Sequence, residues 1–252
     1  MEAVKFLLDE AEETLSSLNG TEPSVYSAVY LVKTNYHNKV GPASKFYDAA
    51  LQYLSYTPLE EVTNAVELAT NLALAALVGD NVYNFGEILA TPILNSIEGT
   101  PFGWLGDLIR ACNAGDIKKF NEICALHKSD IDSQPILKAK ENETKKKIAL
   151  LALVELIFHR PANNRIIAFT DIAKATSLPV NQVEWLIMKA MSIGLIRGVV
   201  DEIDQEVRVS WVQPRVLNQS QMESLKEKIA TWSLVTEDTL NYVKNNTTEL
   251  LN

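Results

Sequence analysis

Apolar positions recur every three or four residues along most of this chain, and each such run predicts an amphipathic helix. Val4, Leu7, Leu8, Ala11, Leu15 and Leu18 mark the first, which Asn19-Gly20 ends. Pro23 to about Lys39 is a second, with Val25, Ala28, Val29 and Val32 on one stripe, broken by Gly41-Pro42. Ala43 to Tyr56 is a third, carrying Phe46, Tyr47, Ala50, Leu51 and Leu54. Thr57-Pro58 starts a fourth that runs to about Val78. A weak repeat underlies these runs. Gly41 precedes Phe46, Gly79 precedes Phe85 and Gly115 precedes Phe120, with the glycines 38 and 36 residues apart. Each glycine ends a helix and each aromatic anchors the next. That period is close to that of tetratricopeptide-like helix pairs, which stack because one pair cannot bury its apolar face alone.

From Glu141 the pattern changes. The stretch ETKKKIALLALVELIFHR is apolar almost all round after Lys147, as in a helix buried on most sides. PANNR reads as a loop and RIIAF as a short β-prone run. Thr170 is placed to cap a short helix through Ala175. Pro179 opens another, which runs to about Ile193 and stops at Gly194. LIRGVVDEIDQEVRVSWV then predicts two strands around a polar turn near Asp204-Gln205. Val207, Val209 and Trp211 alternate with Arg208 and Ser210, so the second strand buries one face, and Pro214 ends it. Helix, short strand, helix, helix, strand, strand is the order of a winged helix. After it, Gln219 to Leu250 reads as one long helix with Met222, Leu225, Ile229, Trp232, Val235 and Val243 along a stripe. The fold class is therefore mainly α: a helical-repeat array over residues 1–143, a winged helix over 144–217 and a C-terminal helix over 218–252.

Composition narrows the function. Of 252 residues, 47 % are apolar and 22 % charged, enough for a proper core. A net charge of −9 argues against a protein whose main task is coating phosphates. Locally, residues 144–216 carry ten Lys and Arg against seven Asp and Glu. Three of those cations are the run Lys145 to Lys147, which reads as a solvated helix start. On the helix from Val180, the outward face holds Asn181, Gln182, Trp185, Met188, Lys189 and Ser192, with no arginine to read base edges. Trp185 and Met188 suit the centre of a protein interface, or else they pack against the preceding repeats. The wing's outer strand is expected to leave unpaired amides and carbonyls, an edge on which another chain can pair.

Nothing in the sequence assembles a catalytic or metal site. His37, His127 and His159 stand far apart, with no metal-ligand spacing. Phosphate-binding glycine loops and the nucleophile elbow are absent, and pairs such as Glu60-Glu61 and Asp201-Glu202 read as solvated surface. Cys112 and Cys124 form no C-x-x-C pair and read as small buried apolar residues. Neither Ala65 to Val78 nor Ile148 to Phe158 is long enough to span a bilayer, and the acidic N-terminus lacks the features of a signal peptide, so a soluble intracellular protein is expected. No enzyme and no cofactor are expected.

Three stretches carry a resemblance. LALAALVGDNVYNFGEILATPIL, the run from HRPANNRIIAF through SWVQPRVL, and the tryptophan-bearing helix after it resemble the PCI-type non-ATPase subunit 13 family of the proteasome regulatory-particle lid. The resemblance is strongest from about Leu72 to Leu217 and thinner but collinear elsewhere. Members of that family carry a further helical stretch ahead of this part, so the chain looks like a shortened form whose first helices expose a face meant for missing repeats. The resemblance implies a scaffold in the cytoplasm and nucleus, supporting ubiquitin-dependent degradation without chemistry of its own. Winged helices would line up edge to edge, with Val207, Val209 and Trp211 in or behind the joining sheet. C-terminal helices would gather into a bundle, with Met222, Leu225, Ile229 and Trp232 as the bundle face. Its partners would be other lid subunits of the PCI and MPN types, with no small-molecule substrate. The competing readings are a PCI subunit of the COP9 signalosome or of a translation initiation factor, and a nucleic-acid-binding winged helix.

Overall fold

The protein is described here from a computed structural model covering residues 2–17, 20–161, 164–216 and 219–246. The stop expected at Leu18 and Asn19, part of the PANNR loop, Leu217 and Asn218, and the end of the last helix beyond residue 246 lie outside the described residues. The chain divides into two compact units, Met1–Pro214 and Arg215–Asn252.

The first unit begins with α1 (Glu2–Ser17), α2 (Pro23–Val40) and α3 (Ala43–Tyr56), followed by α4 (Ala65–Val78) and α5 (Phe85–Ala90). Next come α6 (Gly103–Ala114), α7 (Ile117–Leu126), α8 (Lys128–Ser133), α9 (Pro135–Ala139) and α10 (Glu141–Phe158). The glycine–aromatic rhythm is realised here. Gly41, Gly79 and Gly115 cap the C-termini of α2, α4 and α6, and Phe46, Phe85 and Phe120 are all buried. Gly115 has a φ of 64°, and a Cβ there would lie 2.8 Å from the Ala152 Cα. Glycine is therefore what lets the end of α6 press against α10. Asp116 then caps α7, its carboxylate accepting from the Lys119 amide at 3.1 Å.

The fourth helix starts later than its sequence suggests. Pro58 opens only a 3-10 turn, Leu59–Glu61, and Asn64 adopts a left-handed φ of 60° before α4 begins at Ala65. Asparagine tolerates that conformation, so the chain turns once more before the helix. α4 itself buries Ala69, Leu72, Ala73 and Ala76 completely, and the three alanines allow close packing. Together with Phe85, Ile88, Ile93, Ile97 and Ile109 they form a first core.

A second core lies under a three-stranded sheet. β1 (Ile166–Ala168) runs straight into α11 (Phe169–Thr176), followed by α12 (Val180–Ser192), β2 (Ile196–Asp201) and β3 (Glu206–Val212). This is the expected winged-helix order. Thr170 does not cap α11: Ala168 takes that position, and the Phe169 amide donates to the Gln205 carbonyl at 2.8 Å. The sheet supplies the acceptor that a capping hydroxyl was expected to provide. Ile157, Ile167, Ile172, Val183, Ile187 and Val207 fill this core. α10 serves both cores, with Ile148 and Leu151 facing the first and Leu150, Leu153, Val154 and Ile157 the second.

Lys147 departs from expectation. Lys145 and Lys146 are exposed as a solvated helix start would have them, but Lys147 is buried. Its Nζ donates to the carbonyls of Ala76 at 2.6 Å and Gly79 at 3.0 Å, and lies over the rings of Phe85 and Tyr83. Those carbonyls belong to the end of α4, where no helical partner exists and the helix dipole favours a cation. Burial pushes the amine down to about 8.

The second unit contains α13 (Gln219–Asn246), a helix without proline whose described side chains are exposed throughout. Among the described residues no helix is long and apolar enough to cross a membrane.

Candidate interaction surfaces

The strand order is β1-β3-β2, so β3 is the central strand. β2 pairs along it from Ile196↔Val212 to Asp201↔Glu206, and β1 covers its other side from Glu206 to Arg208. The Val209 amide is also taken, by the Arg165 carbonyl at 2.9 Å. Along this stretch β3 is thus paired on both sides, and among the described residues no further strand pairs on the outer margin of β2 or on that of the shorter β1. The edge expected on the wing is β2.

Val207 and Val209 are 0 % and 4 % exposed and point into the second core. They lie behind the sheet and support it; their side chains offer no outward surface. Trp211 breaks the alternation that would have buried it. The register shifts between Arg197 and Gly198, so Gly198 faces Val209 while Arg197 faces Trp211, and Ser210 is the extra residue of a bulge. The Ser210 hydroxyl donates to the Arg197 carbonyl at 3.1 Å. A Cβ on Gly198 would lie 2.3 Å from the Arg208 carbonyl oxygen, so only glycine permits this approach. The bulge turns Trp211 toward solvent, where the Arg197 guanidinium stacks 4.9 Å from its ring centroid.

Two apolar side chains on the wing were missed by the sequence reading. Val199, opposite Arg208 on β2, and Ile203 in the turn are largely exposed. Alternation along β2 would have placed Val199 outward with Arg197. Ile203 is held by the Asp201 carboxylate, which accepts from the amides of Ile203 and Asp204 at 3.1 and 3.2 Å. On α12, Val183, Leu186, Ile187 and Ala190 face inward, and Trp185 and Met188 are 73 % and 42 % exposed. The preceding repeats therefore do not cover them.

On α13, Met222, Leu225, Ile229 and Trp232 lie on one stripe and are all exposed. Thr236 and Thr239 continue the stripe, and their hydroxyls donate to the carbonyls of Trp232 and Val235 within the same helix, both at 2.7 Å. Their polar atoms are thereby satisfied, and the stripe stays effectively apolar through to Val243.

The remaining polar groups do not converge. His127 stacks on Trp104 and pairs with Asp130, and the His159 ring bonds the Glu155 carbonyl. No group of His, Cys, Asp and Glu among the described residues could hold a metal ion. A surface groove of about 260 Å³ is walled by Leu108, Phe120, Cys124, Ile131 and Leu137. Burial raises the Cys124 thiol and pushes Cys112 up to about 12, so both stay protonated and poorly nucleophilic at neutral pH.

Known proteins share this arrangement. Residues 1–109 match the model of the PSD13 N-terminal repeats and residues 122–211 match the PCI domain. A helical array feeding a winged helix is here a PCI-domain protein. The 26S proteasome non-ATPase regulatory subunit 13 homolog A of Arabidopsis thaliana is 40 % identical over 249 residues, covering 98 % of this chain and 64 % of that protein. The 26S proteasome non-ATPase regulatory subunit 13 of Dictyostelium discoideum is 39 % identical over 249 residues, 98 % of this chain and 65 % of its own length. The chain is similar to these subunit 13 proteins along nearly its whole length, and it spans just under two thirds of the length of the curated relatives it matches. A more distant likeness is the eukaryotic translation initiation factor 3 subunit M of Yarrowia lipolytica, 24 % identical over 189 residues, 72 % of this chain and 44 % of that protein.

Proposed function

We propose that this chain is a non-catalytic scaffold subunit of the 26S proteasome regulatory-particle lid, working in the cytoplasm and nucleus. It supports assembly, and through it ubiquitin-dependent degradation, by docking other lid subunits of the PCI and MPN types. The observation that carries this reading is α13: every described side chain from Met222 to Asn245 is exposed, and most of its apolar ones, Leu234 and Tyr242 apart, form a continuous stripe. Apolar surface of that extent in water marks an interaction site. The free margin of β2 and the exposed Trp185, Met188 and Trp211 add a second surface suited to PCI–PCI contacts. The translation-factor reading has the weaker likeness, and the outward face of α12 lacks the arginines of a base reader.

Affinity purification of the tagged chain, followed by mass spectrometry, tests this. The full chain should co-purify with lid subunits, and deletion of residues 219–252 should abolish that co-purification. Undiminished incorporation of the deletion variant would refute the role given to α13.

A further inference from the structure

The stripe on α13 has flanks of one sign. Around Met222, Leu225, Ile229 and Trp232, the charged residues bordering the stripe are Lys226 on one side and Lys228 on the other. Ser233, Val235 and Leu240 continue the border without charge. Glu223, Glu227 and Asp238 lie on the opposite face, and Glu237 and Lys244, seven residues apart, share a row behind that of Lys226. This segregation occurs in a chain whose net charge is −9. Residues bordering an apolar helical seam face the partner's border and set which partner is accepted.

We propose that the α13 stripe accepts an amphipathic helix of a partner protein whose own apolar seam is bordered by glutamate and aspartate. The inference rests on the scaffold reading and adds the chemistry of the occupant. A second copy of this chain is a poor occupant, because the border it presents to the stripe has lysine and neutral residues and no carboxylate. Cationic borders would be left without counter-charge in either helix orientation. Thr236 and Thr239 sit in the same seam with their hydroxyls bonded inward, so the occupant meets methyl groups there and needs no polar residue opposite them.

The test uses the full chain and two labelled synthetic helical peptides with an identical leucine and isoleucine seam, one bordered by Glu and the other by Lys, read by fluorescence anisotropy. The Glu-bordered peptide should bind roughly tenfold tighter at low salt, from a few weak exposed ion pairs, with the advantage shrinking as salt is added. Lys226→Glu combined with Lys228→Glu should reverse the preference. Both lysines are exposed, so helix content by circular dichroism should be unchanged. Equal affinities, a preference for the Lys-bordered peptide or no binding of either would overturn the inference. So would sedimentation showing that the chain self-associates through the stripe. These outcomes are separate from failure of the scaffold reading. Equal binding of both peptides, lost on replacing Ile229 and Trp232, would leave α13 a docking helix with the wrong border chemistry. Survival of lid incorporation after deletion of residues 219–252 would instead remove the scaffold role itself.

Discussion

α10 and α13 are both long helices free of proline, and their surroundings are opposite. Ten residues of α10 are buried, among them Leu151, Leu153 and Ile157 at 1 % exposure or less. On α13 no described side chain is buried. The difference follows from how each distributes its apolar residues. After Lys147, α10 is apolar almost all round, Glu155 excepted, and requires neighbours on most sides, which the helical repeats and the winged helix provide from within the same chain. α13 gathers most of its apolar residues, Leu234 and Tyr242 apart, into one exposed stripe, the arrangement of a helix that packs in a bundle. One helix is the internal spine of a unit; the other is an exposed surface, the one proposed above to dock a partner. Both are helical by local pattern alone, so helix formation and burial are set by separate features of the sequence.

The sharpest way to break this contrast is through stability. Leu153→Ala in α10 removes a fully buried side chain from the second core and should cost about 2–5 kcal/mol in urea unfolding, with a lower thermal midpoint. A change under ~1 kcal/mol would mean that α10 is not the spine.

Lys147→Met probes the same helix through its charge and should cost about 1.5–3 kcal/mol near neutral pH, because carbonyls at the end of α4 lose their donor. Its pH dependence has a defined sign. The folded amine is depressed to about 8 from an ordinary 10.5, so between these values the unfolded chain holds the extra proton and stability rises with pH. The gap in stability between the native chain and the Met variant should therefore widen from pH 8 upward. Contributions of the buried Cys112 and of the tyrosines are common to both proteins and cancel in that difference. A gap that narrows would reverse the assignment.

Smallest in stability, and most informative about α13, is Ile229→Ser combined with Trp232→Ser. Because both side chains are exposed, unfolding should change by no more than ~0.5 kcal/mol, while co-purification with lid subunits falls. A large loss of stability in the isolated chain would show that the stripe is part of its own core.

Much of the fold could be read from pattern. The glycine–phenylalanine rhythm, the all-round apolar α10, the winged-helix order and the stripe on α13 are all local periodicities. The misreadings share a different cause. Trp211 was expected to alternate inward with Val207 and Val209, and it faces solvent because an extra residue at Ser210 is accommodated opposite Gly198. Lys147 looked like the third residue of a solvated run and is buried, because the end of α4 arrives above it from a point about 70 positions earlier in the chain. Thr170 gave up its capping role for the same reason, since the Gln205 carbonyl already accepts from the start of α11.

Sequence alone determined which segments become helix or strand, which face of each is apolar, and that the chain resembles PCI subunits. Those properties depend on side-chain order within a few residues. Tertiary structure decided which apolar faces are consumed and which remain: Val207 and Val209 inside, Trp185, Val199 and Trp211 outside, and one lysine drawn into the interior. Burial and strand pairing depend on which distant segments meet, and local periodicity holds no record of that.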